Sequence, residues 1–134
     1  MKESVKQQNV DDLIGHFWRN GYLTLSRRFG KYLPEPNNVG DFRVDAIGKQ
    51  RKKFVIGLLL SEKDLNDSKV YTKLEFLATR HSKYSHKRVT LFVGVPQHLI
   101  KEAKSAISFL SVEAQKSIKV VSIGKKVTKQ LSLL

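Results

Sequence analysis

Apolar and polar positions along the chain follow two periods, and these periods predict an alternation of helices and strands. Apolar residues at 10, 13, 14, 17 and 18 have the spacing of a buried helical stripe, so a helix is expected over 11–21 with Phe17 and Trp18 in the core. Further helices are expected over 69–79 and 99–110, and strands over 22–26, 40–48, 54–60, 89–95 and 118–123. Residues 55–60 are continuously apolar, which indicates a strand covered on both faces.

The order of these elements predicts an α/β fold. A hairpin of strands 40–48 and 54–60 precedes two helix–strand pairs, and this order is typical of a mixed central sheet flanked by helices on both faces. A length of 134 residues predicts a single domain. Its expected parts are a core over about 10–95, a helix–strand extension of the sheet over about 96–124, and a basic tail over 125–134.

Charge is the strongest global signal in the sequence. Twenty-five Lys and Arg against 12 Asp and Glu give a formal net charge of +13, which favours a polyanionic partner. The cations cluster in three segments: a pair after the first strand, the turn of the hairpin, and a loop over 80–88 where cations alternate with planar rings. The residues expected to contact nucleic acid are Arg27, Arg28, Lys49, Arg51, Lys52, Lys53, Arg80, Lys83, Tyr84, Lys87 and Arg88.

Several classes of protein and site are disfavoured by the composition. The chain has no cysteine, which removes disulfides, thiolate zinc sites and cysteine nucleophiles. Any metal would then be held by oxygen or imidazole, so magnesium or manganese is expected before zinc. No apolar run approaches the roughly 20 residues of a membrane helix, and the first residues lack the apolar region of a signal peptide. We therefore expect no membrane partner and a cytoplasmic location.

Over residues 10–95 the chain resembles the PD-(D/E)XK superfamily of restriction-endonuclease-like nucleases, which includes Holliday junction resolvases. The shared features are the order helix, three-strand meander, helix, strand, and an acidic residue on the hairpin. Asp45 is the best match to the strand aspartate of the family, and Asp41, earlier on the same strand face, is the second choice. The second family motif, an acid and a lysine on the next strand, falls on Gly57-Leu58-Leu59, where both functional residues are missing.

The resemblance implies binding without catalysis. In such nucleases two carboxylates hold a hard cation against the phosphate and a lysine positions or deprotonates the attacking water. A chain with glycine and leucine at those positions is expected to bind nucleic acid, DNA rather than RNA, largely independently of sequence and with no cofactor. The likeness to junction-cleaving enzymes also implies a homodimer.

Two alternatives stay open at the level of sequence. An active magnesium- or manganese-dependent endonuclease would need Asp45 together with a displaced carboxylate, either Glu75 on the helix over 69–79, with Lys73 as the lysine, or Glu62 just past the strand. The other alternative is a protein-interaction module that uses its positive charge against an acidic partner.

Overall fold

The computed structural model describes residues 2–82 and 86–124, without the side chains of 2–4. Lys83, Tyr84 and the basic tail 125–134 therefore lie outside the described residues. The strands are β1 (Leu23–Arg27), β2 (Ala46–Gln50), β3 (Lys53–Leu59), β4 (Thr90–Pro96) and β5 (Ile118–Ile123). The helices are α1 (Lys2–Arg19), α2 (Glu62–Leu65), α3 (Lys69–Ala78), α4 (Ile100–Ile107) and α5 (Val112–Ser117), and a 3₁₀ turn, Gln97–Leu99, precedes α4.

The strands form one five-stranded sheet in the order β1-β2-β3-β4-β5. β1 and β2, and β2 and β3, pair antiparallel, whereas β3 and β4, and β4 and β5, pair parallel. This mixed sheet flanked by helices confirms the predicted α/β class, including the extension of the sheet by the strand over 118–123.

The two faces of the sheet bury two apolar clusters. Under α1, Leu13 and Phe17 pack against Val55 and Phe92. On the other face the larger cluster joins the sheet to the remaining long helices, with members that include Ile56, Leu58, Leu74, Leu77, Leu91, Val93, Ala103, Ile107 and Ala114. Both faces of β3 and β4 are therefore covered, as the continuous apolar run over 55–60 predicts.

The second strand is shorter than predicted and begins at Ala46 rather than at residue 40. Gly40 and Asp41 form a tight turn closed by a bridge between Val39 and Phe42. Gly40 has a φ of +62°, and a Cβ at this position would lie 2.5 Å from Cζ of Phe76, so the turn needs glycine. The expectation that Asp41 shares a strand face with Asp45 is wrong, because Asp41 is an exposed turn residue.

Helical structure is more extensive than the periodicity predicts. α1 begins at Lys2, although its apolar stripe begins only at Val10. Two short helices were not predicted, and side-chain caps explain both. Ser61 and Asp64 form a reciprocal capping box at the start of α2, and the Ser111 hydroxyl accepts a hydrogen bond from the amide of Ala114 at the start of α5.

The prediction that Trp18 is buried is wrong. Val10, Leu13 and Phe17 are fully buried and face the sheet, whereas Trp18 is 72% exposed. Consecutive helical residues are about 100° apart, so a residue next to the centre of the stripe points away from it.

Within the described residues, no helix has both the length and the apolar character that a membrane span requires.

Candidate nucleic-acid interface

The turn between β2 and β3 presents a compact group of cations. The strands pair up to Gln50 and Lys53, so Arg51 and Lys52 alone form the turn. Arg51 has a φ of +55°, the left-handed conformation that tight two-residue hairpins require. Lys49, one pair further along the ladder, lies with its Nζ 5.4 Å from the centroid of the Phe54 ring.

The basic loop before β4 meets this turn. β3 and β4 run parallel with Val55 opposite Thr90, so the residues preceding both strands lie at the same end of the sheet. The loop is closed by backbone hydrogen bonds, including those from the amide of Ser82 to the carbonyl of Lys87 (2.8 Å) and from the amide of Val89 to the carbonyl of Arg80 (2.9 Å).

The result is a shallow depression of about 470 Å³, which we call the tip surface. Its lining residues are Gln50, Arg51, Lys52, Lys53 and Lys87. The four charged side chains are all cationic and exposed, and no carboxylate is among the described residues that line it. Segments more than 30 residues apart in sequence thus form one positively charged surface.

Other cations predicted to contact nucleic acid are held by the protein itself. The guanidinium of Arg88 forms an ion pair with Glu113 (3.0 Å), and that of Arg27 forms one with Asp11 (2.6 Å). The guanidinium of Arg80 lies 4.7 Å from the centroid of the Phe76 ring. These contacts give the three arginines structural roles within the fold.

Asp45 lies at the opposite end of the sheet, in a cleft of about 430 Å³. The cleft is formed where α1 begins and β3 ends, and we call it the basic cleft. The charged residues that line it are the cations Lys6, Arg28, Arg43 and Lys73 and the acids Asp45 and Asp64. Lys73 therefore lines the same cleft as Asp45.

The carboxylate of Asp45 is occupied on both oxygens. Nη1 of Arg28 donates to Oδ1 (3.1 Å), and the backbone amide of Leu59 donates to Oδ2 (2.8 Å). Asp45 is 7% exposed, and its backbone also bonds to Gly57 and Arg28. In this arrangement Asp45 links the end of β1 and the start of β2 to β3, and Arg28 supplies the positive charge beside its carboxylate. The observed contacts give Asp45 a role in the fold, and its role as a metal ligand stays a prediction.

The carboxylates proposed to assist Asp45 lie elsewhere. Glu75 accepts two hydrogen bonds from Ser111, one from the backbone amide (3.0 Å) and one from the hydroxyl (2.6 Å). These bonds lower the pKa of Glu75, the hydroxyl bond more than the amide bond, and slight desolvation opposes them. Glu62 lines a separate groove beside α4. Among the described residues no group of three His, Asp or Glu is arranged to hold a metal ion.

Gly57, matched to the missing acid, has no room for a side chain. A Cβ at this position would lie 2.7 Å from Cδ2 of Leu13 and 2.9 Å from Cζ of Phe17. The position faces the apolar cluster under α1, so a carboxylate here would be buried among hydrocarbon groups. The close packing of α1 on the sheet therefore excludes an acidic side chain at residue 57.

Sequence reasoning missed two groups of residues. Lys6 and Arg43 line the basic cleft, although neither lies in a basic segment of the sequence. Trp18 was assigned to the core, and only its 100° offset from the stripe centre could have shown otherwise.

Comparisons of the chain with protein-family models, with curated proteins and with solved structures find no match.

Proposed function

We propose that this protein binds nucleic acid, DNA in the first place, through phosphate contacts at the tip surface. The observation that carries the proposal is the convergence of Arg51, Lys52 and Lys53 with Lys87 in one depression, where the described lining residues include no carboxylate. Clustered exposed cations neutralise phosphates and release counterions, which supplies affinity that does not depend on base sequence. The net charge of +13 adds long-range attraction for the polyanion.

The same proposal assigns no catalytic step to the chain. Asp45 is neutralised by Arg28, and Glu75 is bound to Ser111, so neither carboxylate is disposed to share a divalent cation. Binding then requires no cofactor. The magnesium- or manganese-dependent endonuclease remains the second candidate because Lys73 lies in the basic cleft with Asp45. The homodimer stays a prediction, which sedimentation of the purified chain would test.

The experiment is a fluorescence-polarisation titration of labelled duplex, single-stranded and four-way-junction DNA. The test variant combines Arg51→Asn, Lys52→Gln and Lys53→Gln, since asparagine tolerates the positive φ of residue 51. The matched control, Lys101→Gln with Lys104→Gln and Lys116→Gln, removes three exposed lysines from α4 and α5. We expect the test variant to lose at least tenfold in affinity and the control to lose much less.

Parallel reactions with Mg²⁺ or Mn²⁺, followed on a gel, separate the candidate functions. Binding without cleavage is the expected result. Metal-dependent cleavage that Asp45→Asn abolishes, in a variant that still folds, would replace the proposal with the endonuclease. Equal losses in the test and control variants would show that total charge, and not the tip surface, determines affinity.

A further inference from the structure

Trp18 is an exposed aromatic residue on the last turn of α1. It is 72% exposed, whereas its neighbour Phe17 is fully buried. Tryptophan is among the largest apolar side chains and is largely buried on average, so this degree of exposure is uncommon. Such a side chain offers a wide, flat surface to a ligand.

Trp18 belongs to the same end of the molecule as the tip surface. The backbone amide of Gly21 donates to the carbonyl of Trp18 (3.0 Å), and three residues span at most about 11 Å between Cα atoms. Gly21 in turn lies against the side chain of Gln50, whose Nε2 would be 2.7 Å from a Cβ on this glycine. Gln50 is one of the residues that line the tip surface.

The helix geometry places Trp18 on the flank of α1 that faces β1. Asp11, on this flank, forms an ion pair with Arg27 at the end of β1. Trp18 follows Asp11 by seven residues, close to two full helical turns, so both lie on the same side of α1. Leu23, at the other end of β1, pairs with Lys49 of the hairpin. The flank of α1 that carries Trp18 therefore lies towards the edge strand β1, whose first residue borders the basic hairpin.

We propose that Trp18 stacks against an unpaired base of a single-stranded nucleic acid whose backbone lies on the tip surface. The inference rests on the proposed function and specifies its preferred substrate. A positive groove that holds the backbone, next to an aromatic ring that receives bases, is the arrangement by which proteins bind single strands without sequence preference. In a duplex the bases are already stacked inside the helix, so Trp18 has no base to receive there.

The chain contains a single tryptophan, so fluorescence excited at the long-wavelength edge of tryptophan absorption, where tyrosine absorbs little, reports on this residue. The experiment titrates the full chain with an oligothymidine of about 15 nucleotides, a length within the range that single-strand-binding folds cover, and with a duplex of equal length. We expect saturable quenching by the single strand, at the concentrations that fluorescence polarisation gives for binding, and little quenching by the duplex.

Variants test whether stacking contributes to affinity. Trp18→Ala should weaken single-strand binding by about tenfold, which is within the range reported for loss of one stacked base, and should change duplex binding by less than twofold. Trp18→Phe, which keeps a smaller ring, should bind the single strand with an affinity between those of the parent chain and Trp18→Ala. Phe109→Ala is the matched control, because Phe109 is a comparably exposed aromatic residue (75%) after α4. Circular dichroism melts would verify that each variant folds.

The outcomes distinguish this inference from the proposed function. Polarisation that reports single-strand binding without quenching, and unchanged affinity in Trp18→Ala, would overturn the stacking role and leave the tip surface intact. Absence of binding to every nucleic acid would overturn both. A third outcome is that sedimentation shows the parent chain to be a dimer and Trp18→Ala a monomer, while the parent chain shows no quenching. That result would assign this flank of α1 to contact with a second copy of the chain, and the inference would be wrong.

Discussion

Asp45 illustrates how one residue can match a metal-binding motif and yet serve the fold. A buried carboxylate must be paired or hydrogen-bonded, because desolvation of an unpaired charge costs several kcal/mol. Here Arg28 supplies the charge and the amide of Leu59 supplies the hydrogen bond. Arg28 directly follows β1 and Leu59 ends β3, so the side chain holds this end of the β1–β2–β3 meander together.

We therefore predict that substitution of Asp45 affects stability. Asp45→Ala leaves the amide of Leu59 without its acceptor and Arg28 without its counter-charge, which should cost about 1–3 kcal/mol. Asp45→Asn should cost less, because its amide oxygen can still accept from Leu59. Urea unfolding would measure both. Unchanged stability in Asp45→Ala would show that the observed partners do not stabilise the fold.

Glu75 provides a pH-dependent test at the same scale. Its pKa is lowered from an ordinary value of 4.5 by the hydrogen bonds from Ser111, the hydroxyl bond contributing most. A lowered pKa in the folded state means that the contribution of Glu75 to stability is fully present above pH 4.5 and is lost as the pH falls through the folded-state pKa. The difference in unfolding free energy between the parent chain and Glu75→Gln should accordingly shrink below pH 4.5.

The control for this prediction is Glu102→Gln, which removes one exposed carboxylate from α4 without touching Ser111. Ser111→Ala should cost about 1 kcal/mol at neutral pH, since it also removes the cap of α5. Chemical unfolding at several pH values between about 3 and 7, which spans the carboxylate titration, would measure the unfolding free energies of Glu75→Gln, Ser111→Ala and Glu102→Gln. A parent–Glu75→Gln difference that stays constant down to the lowest pH would contradict the assigned hydrogen bonds.

At the scale of elements, glycines on the sheet determine how closely α1 approaches it. Gly48 and Gly57 both lie beneath Phe17, and a Cβ at either position would come within 3.0 Å of that ring. Atoms this close to a side chain in a packed core force it off its preferred rotamer or shift the helix. The pair of glycines thus allows a bulky helix face to lie directly on β2 and β3.

Gly57→Ala is the corresponding prediction. Overpacking against Leu13 and Phe17 should cost about 1–3 kcal/mol. That exceeds the roughly 0.5–1 kcal/mol gained by removing a glycine from a strand. Thermal unfolding would measure the net loss. Gly15→Ala, on α1, is the control: its Cβ would meet only Arg19 at an ordinary 3.5 Å, so this variant should be neutral or more stable. A stabilised Gly57→Ala would contradict the packing described here.

At the scale of the whole molecule, positive charge is divided between two ends of the sheet. The tip surface lies where β3 begins and the basic cleft lies where β3 ends, and seven residues of strand separate them by about 20 Å. The two ends also differ in composition, because the cleft contains two carboxylates and the tip surface none among the described residues. Phosphate binding is therefore expected first at the tip surface.

The salt dependence of binding belongs to this scale. Each phosphate neutralised on a duplex contributes a slope of about −0.9 in log affinity against log salt. The Arg51→Asn, Lys52→Gln, Lys53→Gln variant should therefore show a slope shallower by up to about 3 than the parent chain, whereas the control variant on α4 and α5 should keep the parental slope. Polarisation titrations at several salt concentrations would measure it. Equal slopes in all three proteins would contradict phosphate contacts at the tip surface.

Local patterns in the sequence determined the elements and their order. The period of 3.6 predicted α1, α3 and the helix containing α4, because it reflects which side chains a helix can bury. Short apolar runs bounded by turn residues predicted five strands, although the second was expected to begin at residue 40 and begins at Ala46. Charge counts in the same way predicted a polyanionic partner. Short capped helices and turn positions were missed, since they depend on a few side-chain hydrogen bonds and not on a period.

The tertiary structure alone decided which of these residues meet. Parallel pairing of β3 with β4 brought Lys87 to the hairpin turn, and the register of β2 on β3 placed Asp45 beside the amide of Leu59. The same packing placed Glu75 at the start of α5 and left Trp18 on the surface. Contacts between residues distant in sequence depend on strand pairing and helix docking, which hydrophobic periodicity does not encode.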